Sequence, residues 1–254
     1  MSWRDGTVDF GGEGPGILLL HGLMGRARTW WRVARWLTAY GRVIGWDARA
    51  HGRNPDREAA ATEDFVADAA RVIKEFDLAP AAVIGHSMGG LHAFALAATH
   101  PELVRAVVVE DMAADQRGRT SAAWRSQFES WPVPFVSAGA VREFFGGQGD
   151  YFGECFSEFS DGYRLTANLP ALYDIAGEWG QREYWSFAEN VRCPALVIEA
   201  EHTLMPVGAQ EELARRMPHG QHVLAPGAGH VVHDDAPEFY RGAVEAFLSA
   251  VAGR

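Results

Sequence analysis

A chain of 254 residues, 48% hydrophobic and 22% charged, is long enough for one large buried core and reads as an ordinary globular protein. Its formal charge of −10, from 23 Lys+Arg against 33 Asp+Glu with no basic run, argues against nucleic acid and anionic membranes as partners, because both demand a basic face. Its two cysteines, Cys155 and Cys193, lie far apart without C-x-x-C spacing, so no disulfide framework or metal site is expected and both read as buried thiols; the charged N-terminal MSWRDGTVDF and the lack of a membrane-length apolar stretch point to the cytoplasm.

From residue 16 onward, short apolar runs alternate with longer amphipathic ones, the signature of strands and crossover helices in a mostly parallel α/β sheet. In chain order the expected elements are strand 16–20 (GILLL), helix 29–40, strand 42–46 (RVIGW), helix 62–76, strand 81–85 (AAVIG), helix 88–100 and strand 104–109 (VRAVVV). Strand 195–200 (ALVIEA), helix 208–217, strand 221–225 (QHVLA) and helix 237–252 complete the pattern. Near-continuous hydrophobicity suits strands covered on both faces. Thr62, followed by Glu63 and Asp64, reads as a helix N-cap with acid in the first turn.

Between about Met112 and Asn190 no strand is evident, yet aromatic residues are frequent, from Trp124, Phe128 and Trp131 through Phe145 and Phe156 to Tyr184 and Trp185. A structureless loop of that length does not suit a compact domain, so the segment is expected to be a helical insertion. The expected organisation is a core of residues 1–111 and 191–254 with an inserted helical cap at 112–190.

The stretch 83-VIGHSMGG-90 places Ser87 in G-x-S-x-G, between an expected strand and an expected helix. That is the context of a nucleophile elbow, a strained turn in which side chains at Gly85 or Gly89 would collide with the neighbouring elements. The turn aims the serine hydroxyl out of the sheet and the Met88 N–H at the same spot, where it can stabilise an oxyanion. A second donor is expected from the loop after an earlier strand, 17-ILLLHGLMG-25, where the Leu23 N–H is the candidate.

On these residues the chain resembles the α/β-hydrolase fold family, single-domain serine hydrolases with a helical cap. The matching elements are His21-Gly22-Leu23, 47-DARAHGRN-54, 85-GHSMGG-90 and 227-GAGHVVHDDAPEF-239, with Ala50 standing where the family turn has its second glycine and Asn54 where it has serine. The resemblance implies an α/β-hydrolase fold with a helical cap, Ser87 as nucleophile, His230 as general base, Leu23 and Met88 as oxyanion donors, and no cofactor or metal. His233, three residues after His230, is the rival base. His21 and His86 flank the site as structural hydrogen-bonders or substrate contacts.

A base histidine needs a third group to fix its tautomer. The family's usual position for that acid is occupied here by Thr203, within 198-IEAEHTLMP-206, which cannot ionise. Some family members carry the acid after the strand that precedes the cap, and Asp111 in 107-VVVEDMA-113 holds that place. Glu201 is the alternative acid, while Glu110 and Glu199 are expected to face away because strand side chains alternate. A dyad without an acid also stays open.

The insertion's aromatics suggest an apolar pocket for an acyl or aryl group, with Trp124, Phe128, Trp131, Tyr184 and Trp185 as candidate contacts. The expected function is hydrolysis of a hydrophobic carboxylic ester or lactone, by a monomer or homodimer. A carbon–carbon bond hydrolase of ring-cleavage products is the alternative within the enzyme class. A receptor that binds its ligand without turnover is the alternative outside it.

Overall fold

A computed structural model describes residues 6–54, 56, 58, 61–119 and 122–253. The described chain opens with β1 (Thr7–Gly11), β2 (Gly16–Leu20), a 3-10 turn at Ala27–Trp30, α1 (Trp31–Leu37), β3 (Arg42–Trp46), α2 (Thr62–Glu75), β4 (Ala81–His86), α3 (Met88–Thr99) and β5 (Val104–Glu110). The insertion holds α4 (Ala122–Glu129), α5 (Ala138–Phe145), α6 (Gly149–Cys155), β6 (Phe156–Phe159), β7 (Gly162–Leu165), α7 (Leu169–Trp179) and α8 (Trp185–Asn190). β8 (Ala195–His202), α9 (Ala209–Arg216), β9 (Gly220–Gly229), α10 (Val232–Asp235) and α11 (Pro237–Ala252) close the chain.

Among the described residues the main sheet has seven strands in the order β1-β3-β2-β4-β5-β8-β9, all parallel except β1, which runs antiparallel to β3. The period of two along β2 explains the layering. Leu18 and Leu20 join one core with Phe65 of α2 and Leu91 and Phe94 of α3, while Ile17 and Leu19 join the other with Leu37 of α1 and Phe247 of α11. Each such side chain, removed from water, contributes about 1.5–3 kcal/mol.

β2 connects outward to β3, and the chain then returns to β4 on the other side of β2. This reversal leaves a crevice beyond the carboxyl ends of β2 and β4, where ligands bind in open α/β sheets. The insertion meets the loops that follow β2 and β3, and its far end folds back on the stretch after β5. Arg26 donates to Ser157 at 2.9 Å, Asn168 N–H to Ala50 O at 2.7 Å, and Tyr184 N–H to Ala114 O at 2.7 Å.

Four local expectations are corrected. The insertion contains a strand pair, β6–β7, closed by Ser160-Asp161-Gly162 with Gly162 at φ 128, a conformation that favours glycine. α2 begins at Thr62 with Ala61 as its N-cap residue; Asp64 accepts from the Ala61 N–H at 3.2 Å, and the Thr62 hydroxyl bonds Glu178 instead. The helix expected at 29–40 is a 3-10 turn followed by a shorter α-helix. Cys155 is buried, but Cys193 is only partly so.

Candidate active site

Ser87 stands between β4 and α3 with φ 52 and ψ −120, a left-handed conformation that a non-glycine residue adopts only where its surroundings enforce it. The enforcement is visible. Ser87 N–H donates to Glu110 O at 2.8 Å and Ser87 O accepts from Gly90 N–H at 2.7 Å. A Cβ at Gly85 would lie 2.1 Å from Gly89 O, and one at Gly89 would lie 2.1 Å from Leu20 O, so neither position admits a side chain. Met88 opens α3, where the first N–H groups of a helix have no partner inside it.

The loop after β2 packs against this turn. A Cβ at Gly22 would come within 2.7 Å of His86 Nδ1 and 3.4 Å of Ser87 Cβ, which brings the backbone beside Leu23 close to Ser87. His21 stiffens the loop. Its Nε2 accepts from Ala48 N–H at 3.0 Å, so its Nδ1 carries the proton and donates to Gly22 O at 2.8 Å. Burial pulls its pKa down to about 4, consistent with that neutral tautomer. Both ring nitrogens are thus committed to the backbone, which leaves His21 no polar atom for a substrate.

His230 follows β9, and His86, the residue before Ser87, donates from Nε2 to His230 O at 2.9 Å. The two rings lie 4.8 Å apart. Burial holds His86 neutral, with a pKa lowered to about 3. His230 Nδ1 approaches Asp111 Oδ2 at 2.6 Å, with the histidine side chain 20% exposed and the aspartate fully buried. Asp111 itself has φ 44, just beyond the end of β5.

Three further donors meet this carboxylate: Ala200 N–H on Oδ1 at 3.0 Å, Gln210 Nε2 on Oδ1 at 2.8 Å, and the Thr203 hydroxyl on Oδ2 at 3.0 Å. Gln210 gives no sign in the sequence, since it lies on α9 and reaches the site only through the fold. Glu201 is elsewhere, accepting from Gly227 N–H at 2.6 Å, and Glu199 pairs with His222 at 2.7 Å.

His233 is committed to a different carboxylate, Glu110. Its Nδ1 lies 2.8 Å from both oxygens of Glu110, its N–H donates to Glu110 Oε1 at 2.9 Å, and its ring stacks on Trp30 at 4.4 Å. Burial alone would push the Glu110 carboxyl up, but the charge and hydrogen bonds of His233 outweigh it and hold the group below the usual range.

The candidate pocket aromatics separate. Phe128 and Trp131 pack together at 4.9 Å, and Trp131 continues into the cluster of Phe145, Phe152 and Phe156. That cluster rests on Met24 and Val231, next to the two site loops. Trp124 packs against the α2–α3 side of the core. Tyr184 faces Thr62, and Trp185 lies under Arg216 of α9, so both serve the insertion's attachment. Among the described residues no group of three or more His, Cys, Asp or Glu side chains is arranged to hold a metal ion.

A family profile described as alpha/beta hydrolase fold matches residues 15–237. The chain is 28% identical to the sn-1-specific diacylglycerol lipase ABHD11 of Mus musculus, over 92% of this chain and 81% of that protein. It is 25% identical to the (E)-2-((N-methylformamido)methylene)succinate hydrolase of Acinetobacter baylyi, over 93% and 91%. The crystal structure of E-2-(acetamidomethylene)succinate hydrolase superposes with a TM-score of 0.86 at 23% identity, covering 96% of this chain and 94% of the other, a likeness of fold.

Proposed function

We propose that this chain, which belongs to the α/β-hydrolase fold family, is a serine hydrolase that cleaves a hydrophobic carboxylic ester or lactone through an acyl-enzyme at Ser87. The observation that carries the reading is the contact of 2.6 Å between His230 Nδ1 and the buried Asp111, next to a serine held in the left-handed region. With Nδ1 protonated toward the carboxylate, His230 Nε2 is left as the base. It takes the Ser87 proton as Oγ attacks the carbonyl carbon, and the N–H groups of Leu23 and Met88 receive the oxyanion. The imidazolium, stabilised by Asp111, returns the proton to the leaving alkoxide; water then attacks the acyl-enzyme with His230 again as base.

The names of the lipase and the succinate hydrolases support hydrolysis in general and divide over the bond. A lipase cleaves esters, whereas the two succinate hydrolases act on nitrogen-bearing substrates, which makes amide cleavage the second reading. Labelling by a fluorophosphonate, read by intact mass, tests the activated serine. The wild type is expected to gain one adduct, Ser87→Ala none, and Asp111→Asn to label about 10³–10⁴-fold more slowly with its circular dichroism unchanged. Equal rates for Asp111→Asn and wild type would remove Asp111 from the mechanism. A panel of activated esters, lactones and acyl-enamides then separates the two bond classes, and acylation without release would favour the receptor.

A further inference from the structure

Thr203 stands where the family's usual acid would be, and it has not become a bystander. Its Oγ1 accepts from Met205 N–H at 2.9 Å and from Gln210 Nε2 at 3.0 Å. A hydroxyl has two lone pairs and one proton, so with both lone pairs engaged its proton is directed to its remaining partner, Asp111 Oδ2. Gln210 is oriented with equal definiteness. Its amide nitrogen serves Asp111 Oδ1 and Thr203 Oγ1 together, whereas its Oε1 is buried without a partner among the described residues; the flipped amide would set an oxygen against the carboxylate.

The consequence is a carboxylate whose four acceptor positions all meet donors: Ala200 N–H and Gln210 on Oδ1, Thr203 and His230 on Oδ2. Neither Ala200, Gln210 nor Thr203 offers an acceptor for a carboxyl proton. The proton shared with His230 therefore belongs on Nδ1, and Oδ2 cannot turn away from it without breaking bonds on both oxygens. We propose that Thr203 and Gln210 are positioning residues, converted from the vacated acid site into a donor cradle that fixes Asp111 toward His230. This inference rests on the serine hydrolase reading.

The other titratable groups around the pair are His86 at the end of β4, Glu110 on β5, His233 and Asp235 on α10, Glu201 and His202 at the end of β8, and Tyr151 of α6. None of these donates to Asp111. Removing a cradle donor concentrates negative charge on the carboxylate and stabilises the His230 imidazolium. Labelling of such variants, which needs the unprotonated ring, is therefore displaced to higher pH.

The test compares Thr203→Val, Thr203→Ser and Gln210→Leu with wild type. One readout is the pH profile of fluorophosphonate labelling; the other is the downfield proton NMR signal of His230 Nδ1–H. Thr203→Val and Gln210→Leu are expected to move the acid limb of labelling up by about one pH unit and to shift or broaden the signal, while Thr203→Ser keeps both at wild-type positions. A looser fold alone would lower the rate without moving the limb. An unchanged limb and signal in Thr203→Val, or equal loss in Thr203→Ser, would overturn the proposal. If the wild type does not label, the hydrolase reading falls, and the signal still decides the cradle: it must change in Thr203→Val and persist in Thr203→Ser.

Discussion

Glu110 and Asp111 are neighbours in the chain, and they hold two histidines three residues apart: Glu110 binds His233 and Asp111 binds His230. The Glu110 pair is completely enclosed, with both side chains no more than 2% exposed. Replacing one member of such a pair leaves the other's donors unpaired in the interior, so Glu110→Leu is expected to cost about 3–5 kcal/mol in urea unfolding. The double variant Glu110→Leu, His233→Leu should recover most of that loss, because well-packed apolar groups replace buried ion pairs at little cost. A double variant as unstable as the sum of the singles would mean that the pair has a role beyond closing its own charge. Ser87, His230 and Asp111 stand out in the sequence as candidates because each lies in a local pattern tied to a strand end. Glu110 was legible only as facing away from the site. Gln210 was illegible, since a glutamine on an amphipathic helix has no local mark of its buried contact.

At the scale of elements, the insertion is fastened to α2 by a small network. The Glu178 carboxylate of α7 accepts from Thr62 N–H and the Thr62 hydroxyl, both at 3.0 Å, and so occupies the positive end of α2. Arg182 ties the same carboxylate to Glu63 and lies 5.0 Å from the centre of the Tyr184 ring. Glu178→Ala is therefore expected to destabilise the chain by about 1–2 kcal/mol and to speed amide exchange in α7 and the first turn of α2 before the sheet. Uniform exchange across the molecule would contradict a local fastening. The central strands were legible because burial on both faces leaves unbroken apolar runs. β1 and the β6–β7 pair were not, because each is only four or five residues long and largely unburied, too short for its pattern to stand out from loop. The Ser160-Asp161-Gly162 turn was the available signal for the pair.

At the scale of the whole molecule, acid sensitivity follows from histidines that folding keeps neutral. His21, His86 and His92 are buried, and burial lowers their pKa values from 6.5 to about 4, about 3 and about 3. Burial also lowers His51 to about 3, although both of its ring nitrogens face carbonyl oxygens, of Arg49 and Leu23, which only the doubly protonated ring could satisfy together; it is therefore not counted with the three. Between pH 6.5 and the depressed values the unfolded chain binds protons that the folded chain refuses, so stability rises with pH across that window and is lost as pH falls. At pH 5 each of the three rings lowers stability by about 2 kcal/mol relative to pH 8, a joint loss of about 6 kcal/mol against a typical total of 5–15 kcal/mol. Self-repulsion works the other way, because the net charge of −10 shrinks toward zero near the sequence pI of 5.4. The urea midpoint is expected to be flat from pH 7 to 8.5 and to drop steeply below pH 6. His92, whose Nε2 has no partner among the described residues and whose ring stacks on Phe65 at 4.5 Å, offers the cleanest variant. His92→Leu should lessen the fall between pH 7 and 5 by about 2 kcal/mol, and an undiminished fall would assign the acid sensitivity to other groups.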